Sequence, residues 1–210
     1  MQFTPRQELS ARVGRLQTEM RRGGLDGALV FHKPDLFYLT GTAQNAVVFV
    51  PADGDPVVLV RRSVHRARTE SAWKEILPYR DFADIPALLR ERGFGGFGTL
   101  GLELDVLPAR HYLKLGEAFP GVKLVSVTSH LRSVRMIKSS YEIERIEYAA
   151  EQLRLVNAAI PAMMKDGCER EIDLAAAIEG FLRKHRHQGL VRTRKFGSAM
   201  YYGAVSVGAS

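Results

Sequence analysis

The chain of 210 residues carries a formal net charge of +7, with 46% apolar and 25% charged residues, ordinary globular usage that excludes disordered and fibrous classes. Its length suits one domain of common size and part of another. No stretch approaches the roughly 18 apolar residues of a membrane helix, Met1-Gln-Phe-Thr-Pro-Arg6 lacks the pattern of an export signal, and the single Cys168 can form no internal disulfide, which together point to the reducing cytoplasm.

Thr4-Pro5-Arg6-Gln7 reads as a helix start, with Thr4 as N-cap and Pro5 at the first helical position. Leu9, Val13, Leu16 and Met20 then form one apolar stripe, and Gly23-Gly24 ends the helix. A short strand over 27–31 and a turn of helix over 34–41 follow. Residues 46–50 and 56–60 are two β-branched runs around Ala52-Asp53-Gly54-Asp55, a hairpin in which Asp53 and Asp55 form the turn.

Helical and strand-like patterns next alternate: helix over 62–73, strand over 76–79, helix over 84–92, strand over 99–104, helix over 108–119 and strand over 122–127. This alternation predicts an α/β domain with a mixed sheet. Gly93-Phe-Gly-Gly-Phe-Gly98 matches G-x-G-x-x-G in form, but it follows a helix and leads into a strand. A dinucleotide fingerprint must do the reverse, so a helix stop and loop is the reading.

Arg135 is expected to belong to a strand exit, and Ser139-Ser-Tyr-Glu142 to open, with a capping box, a long helix reaching residue 165. Ile143, Ile146, Ala150, Leu153 and Val156 mark its expected buried stripe, and Pro161 falls near its end. A second helix is expected over 169–187, with Cys168 as its N-cap, and one or two strands over 190–207 with Gly203 near their turn. Downstream of Glu179 there is neither Asp nor Glu.

With these elements placed, the chain resembles the creatinase/prolidase/aminopeptidase P family of the pita-bread metallopeptidase superfamily. Pro34-Asp-Leu-Phe-Tyr-Leu-Thr-Gly41 resembles the family's N-x-x-Y-L-T-G segment. Arg135-x-x-Lys138-Ser139-x-x-Glu142-Ile143 resembles the entry to its catalytic domain, and Gly167-Cys168-Glu169-x-Glu171-Ile172 the start of its second helix. Cys168 stands where the family places Thr or Ser, and Ala204 where its Gly-His-Val string has His.

The resemblance implies an N-terminal creatinase/prolidase-type α/β domain over 1–133, a mixed sheet flanked by helices. An incomplete α+β pita-bread domain is expected over 134–210. Full-length members hold two divalent metals, drawn from manganese, cobalt, zinc or iron, about 3.5 to 4 Å apart, which activate a bridging water. Their ligands, two Asp, one His and two Glu, match no residue here. The expectation is therefore the N-terminal portion of a Xaa-Pro aminopeptidase or dipeptidase that acts on proline-containing peptides as a homodimer. Alone, the chain is expected to be inactive and to bind no cofactor, with no catalytic or metal-ligating residue. Tyr201 and Tyr202 are its candidate substrate-binding residues, by position on the strand nearing the pocket.

Other readings compete with this one. A non-catalytic oligomerisation module of the same fold would need no ligands. The pI of about 9.7 suggests a nucleic-acid binder, but no motif of that class is present and the basic residues read as solvated faces. His185-x-His187 has the wrong helical spacing for two ligands on one face, and His32, His65, His111 and His130 stand isolated. Glu103 and Asp105 share strand spacing and could form a carboxylate pair, although a strand end leading into a helix explains them as well.

Overall fold

A computed structural model describes residues 3–165, 170–192, 194 and 199–201, with 190–192 and 199–201 described as backbone alone. The chain divides into two compact units, Met1–Ile137 and Lys138–Ser210.

The first unit is built on six strands: β1 (Gly27–Val30), β2 (Ala46–Pro51), β3 (Val57–Val60), β4 (Ile76–Pro78), β5 (Thr99–Leu102) and β6 (Lys123–Ser126). Their order is β4-β3-β2-β1-β5-β6. The short 52–56 turn makes β2 and β3 an antiparallel hairpin, and β1 pairs antiparallel with β2. The β3/β4, β1/β5 and β5/β6 pairs are parallel. The predicted mixed sheet is thus present, with β2 alone running against the other five.

Strand periodicity sorts side chains to two faces. Ala28, Val30, Val48, Val50, Val58 and Val60 enter one core, whereas Leu29, Val47, Phe49, Val57, Leu59, Leu100 and Leu102 enter the other. The first core is covered by α1 (Arg6–Arg22), α2 (Lys33–Thr40), α3 (Val64–Glu70) and α6 (Thr128–Met136). The second is covered by a 3-10 turn (Phe82–Asp84), α4 (Ile85–Arg90) and α5 (Ala109–Ala118). Both faces being covered explains why these strands read as continuous apolar runs.

Several boundaries differ from the sequence expectation. No side chain caps α1, whose N-cap is Pro5, because Thr4 is buried instead. Residues 128–136 form a helix where a strand exit was expected. Leu131 and Val134 of that helix belong to the first core, so it carries the first unit past residue 133. The residue that precedes this helix helps explain Gly101: a Cβ there would lie 2.8 Å from Val127 Cβ and 2.7 Å from Leu25 Cδ2. Gly41 closes α2 in the left-handed conformation, at φ 75°, which glycine adopts without steric cost.

In the second unit, α7 (Ser140–Lys165) opens with the expected capping box. Glu142 N donates to Ser139 Oγ at 3.2 Å and Ser139 N to Glu142 Oε2 at 2.9 Å. The helix continues through Pro161. The second helix, α8 (Glu171–Lys184), has Arg170 as N-cap, with Asp173 accepting from its backbone N–H, and Cys168 lies outside the described residues. β7 (Leu190–Arg192) and β8 (Ala199–Tyr201) pair antiparallel, and the turn expected near Gly203 lies outside the described residues.

The expected stripe of α7 is a further correction: Val156 is buried, but Ile143, Ile146 and Leu153 are 46%, 52% and 55% exposed. The periodicity is real, and only the surface it would cover is missing among the described residues.

Candidate functional site

β1, β3, β4 and β5 point the same way, so the residues that follow them gather at one edge of the sheet: Phe31 and His32, Arg61, Tyr79, and Glu103. β1 and β5 are adjacent and parallel, but their connections leave in opposite directions, toward β2 and toward β6. Such a switch point opens a crevice at the carboxyl ends of the strands, where α/β proteins commonly bind ligands.

The crevice has two adjoining compartments. One, of about 220 Å³, is lined by Phe31, His32, Tyr79, Phe82, Glu103 and Leu107 among others. The other, of about 210 Å³, is lined by Arg61, Arg80, Asp81, Arg110, His111 and Lys114 together with Tyr79 and Phe82. Phe82 holds the wall between Phe31 and His111, with edge-on ring contacts at 5.7 and 5.0 Å.

Lys114 Nζ reaches Asp81 Oδ2 at 3.3 Å, and this bond leads the causes that hold the exposed Asp81 carboxyl below its usual range. Burial, then the cations Arg110, Lys114 and Arg61, keep His111 below the ordinary imidazole value. Burial pushes the Tyr79 phenol up, against the pull of Arg61. The cationic compartment is therefore positive at neutral pH while its histidine is neutral.

Beneath the apolar compartment lies a buried cluster. His32 is the N-cap of α2, Asp35 sits in its first turn, and Glu103 follows β5. Glu103 Oε2 accepts from Phe31 N at 2.7 Å and His32 N at 2.8 Å. Asp35 accepts from His32 Nδ1 at 2.9 Å and from Arg135 Nη1 at 2.5 Å, and Asp35 and Glu103 are both 0% exposed. Burial first, and the hydrogen bond with Asp35 second, push Glu103 up to about 8. A carboxyl raised that far favours its protonated form at neutral pH, the form able to donate to Asp35, whose charge Arg135 balances. Two acids thus share a dry site by holding one proton between them.

The Glu103–Asp105 pair that strand spacing allowed is not formed, and the strand end leading into a helix is what the structure has. Glu103 joins Asp35, whereas Asp105 accepts from Thr128 Oγ1 at 2.6 Å and pairs with Arg132 at 3.3 Å. The partner of Glu103 is far away in sequence, and the only sequence signal was a charged residue inside Gly101-Leu-Glu-Leu104. His185 Nδ1 donates to Gln152 Oε1 at 3.0 Å, and its ring stacks on Phe181. His187 Nδ1 accepts from Gly189 N at 2.9 Å, so neither imidazole is arranged as a ligand of a shared ion. Of the two candidate substrate-binding tyrosines, Tyr201 pairs through its backbone with Leu190. Its side chain and all of Tyr202 lie outside the described residues.

Among the described residues, only His32, Asp35 and Glu103 bring three candidate donor atoms within 4.8 Å of one another. A cation there would compete with the Arg135 guanidinium and the Glu103 proton, and the set offers three donors where the two-metal centre that the resemblance implies takes five ligands. These residues do not fit a two-metal centre. No helix among the described residues is long and apolar enough to cross a membrane.

A sequence model of the Creatinase/Prolidase N-terminal domain matches residues 12–137. The "Probable dipeptidase PepE" of Mycobacterium tuberculosis H37Rv is 32% identical over 163 residues, covering 74% of this chain and 43% of the relative. Dipeptidase PepE from Mycobacterium ulcerans superposes with a TM-score of 0.72 at 23% identity, over 90% of this chain and 53% of that one. The N-terminal domain of the cytoplasmic peptidase PepQ from Mycobacterium tuberculosis H37Rv superposes at 0.53 and 25% identity, over 59% of this chain and 98% of that one. The chain spans about half the length of the two PepE proteins. The matched span coincides with the αβα unit of the crevice, and the chain belongs to the creatinase/prolidase/aminopeptidase P family.

Proposed function

We propose that the chain is the N-terminal portion of a cytoplasmic, metal-dependent Xaa-Pro dipeptidase or aminopeptidase, and that it is inactive alone. The observation that carries this is the dipeptidase PepE similarity, which spans 74% of this chain and 43% of the relative. Supporting inactivity, the described residues offer no two-metal donor set. In the whole protein, metals would activate water against the Xaa-Pro carbonyl. What this chain supplies is the αβα unit and the capped helix α7.

Incubation with manganese or cobalt and a Gly-Pro substrate tests the reading. The 210-residue chain should show no turnover, and a longer product of the same gene carrying the family's five ligands should cleave the peptide. Chelator-sensitive turnover by the 210-residue chain would overturn the claim of inactivity.

A second reading is favoured by one observation. Ile143, Ile146, Leu153 and Ile172 are exposed on α7 and α8, as an oligomerisation module requires, since exposed apolar surface favours association. Light scattering should then show a homodimer. A natural stop after residue 210 would favour this module, and a downstream extension with the ligands would favour the peptidase.

A further inference from the structure

The crevice at the carboxyl ends of the strands has chemistry that a metal-dependent peptidase does not call for. Arg61, Arg80 and the α5 pair Arg110 and Lys114 come from three separate segments to line one compartment, where they face a single carboxylate, Asp81. Lys114 takes that carboxylate. The side chains of Arg61, Arg80 and Arg110 are exposed, and no ion pair within 4 Å holds any of them among the described residues.

Cations gathered without counter-charges repel one another, and a fold keeps such a group at a cost unless an anion offsets it. Arg110, His111 and Lys114 stand in the first turns of α5, whose dipole adds positive potential on the same side. Guanidinium forks match phosphate oxygens in bidentate geometry, and the excess of cations suits a multiply charged anion better than a lone carboxylate.

The neighbouring compartment supplies the other half of a ligand. Phe31, Phe82, Tyr79 and Leu107 give it apolar and aromatic walls, and the exposed Asn45 stands at its lining with an amide able to donate and accept. The two compartments share Arg61, Tyr79, Phe82 and His111, so one molecule can reach both. Glu103, though it lines the apolar compartment, carries its proton and does not repel an anion.

We propose that this crevice binds a nucleoside diphosphate, with the phosphates among Arg61, Arg80, Arg110 and Lys114 and the base against Phe31, Tyr79 and Phe82. The Gly93–Gly98 loop takes no part, since it precedes β5 and lies at the amino end of that strand. The phosphates are held by side chains and the α5 N-terminus, not by a glycine-rich loop.

Calorimetry on the full chain tests this with ADP, pyrophosphate and adenosine as probes. ADP should bind with a Kd below about 1 mM, and pyrophosphate and adenosine each at least about tenfold more weakly. The Arg61→Ala/Arg110→Ala variant should lose about tenfold or more of the ADP affinity. Arg22→Ala, outside the crevice, should lose none. Both arginines are exposed, so thermal melts should show the variants folded. Equal binding of ADP and pyrophosphate would overturn the base-binding half of the proposal. No binding of ADP, or binding that the double variant leaves unchanged, would overturn the site, and so would duplex DNA displacing ADP at physiological salt with no dependence on these arginines, the mark of diffuse charge. Peptidase activity of a longer gene product does not bear on any of these outcomes.

Discussion

α1 and α7 carry similar apolar stripes, and they meet different fates. Leu9, Leu16 and Met20 of α1 are 0% exposed against the sheet, whereas Ile143, Ile146 and Leu153 of α7 stand about half exposed. Helical periodicity therefore specifies a face but not its burial, because burial depends on a partner surface supplied elsewhere. In the first unit that partner is a six-stranded sheet. In the second, the described residues offer one short strand pair and α8.

The largest expected effect that sharpens this contrast comes from the second core of the first unit. Phe49 is fully buried and touches Phe94 and Phe97, so Phe49→Ala should destabilise the first unit by about 3–5 kcal/mol in urea unfolding. A loss below about 1 kcal/mol would mean that this core collapses around the cavity.

Glu103→Gln comes next. The folded state holds the Glu103 proton up to about 8, against 4.5 for the free side chain. Between those values the unfolded chain has released the proton and the folded chain has not. The contribution is fully present below 4.5, falls as pH rises, and is gone above about 8, with a slope of about 1.4 kcal/mol per pH unit at its steepest. Gln imitates the protonated acid, accepting from Phe31 N and donating to Asp35. The variant should therefore show a flatter pH–stability profile across this window, read from urea midpoints. A wild-type stability that rises through the same window would contradict the shared proton.

Ser139→Ala removes one half of the α7 capping box and should cost about 1 kcal/mol, seen as reduced helicity and a lower melting temperature of the second unit. Smallest in stability is Ile146→Ser with Leu153→Ser, expected to stay within about 0.5 kcal/mol per site because neither residue is buried. The same pair should lower dye binding and self-association. Strong destabilisation by this pair would show that the α7 face is covered in solution.

Local features were legible along the chain because their causes lie within a few residues. The 52–56 hairpin turn, the Gly41 stop, the Ser139–Glu142 box and the alternation of strand residues are all short-range devices. α6 was missed because Thr128–Met136 follows a strand without a strong cap: no side chain caps it, and its apolar residues Leu131 and Val134 are too few to stand out. The functional groups were harder to read. Glu103 invited pairing with Asp105, two residues on, but its partner arrives from α2.

Composition, apolar periodicity and three ordered motifs were enough to determine an α/β domain, the start of a second unit and the family. Only the tertiary structure decided which stripes are covered, that Glu103 meets Asp35 and Arg135, and that Arg61, Arg80, Arg110 and Lys114 converge. The reason is physical. Periodicity and caps are properties of neighbouring residues, whereas a buried proton or a cationic crevice depends on crossover connections that bring distant strand ends to one edge of a sheet.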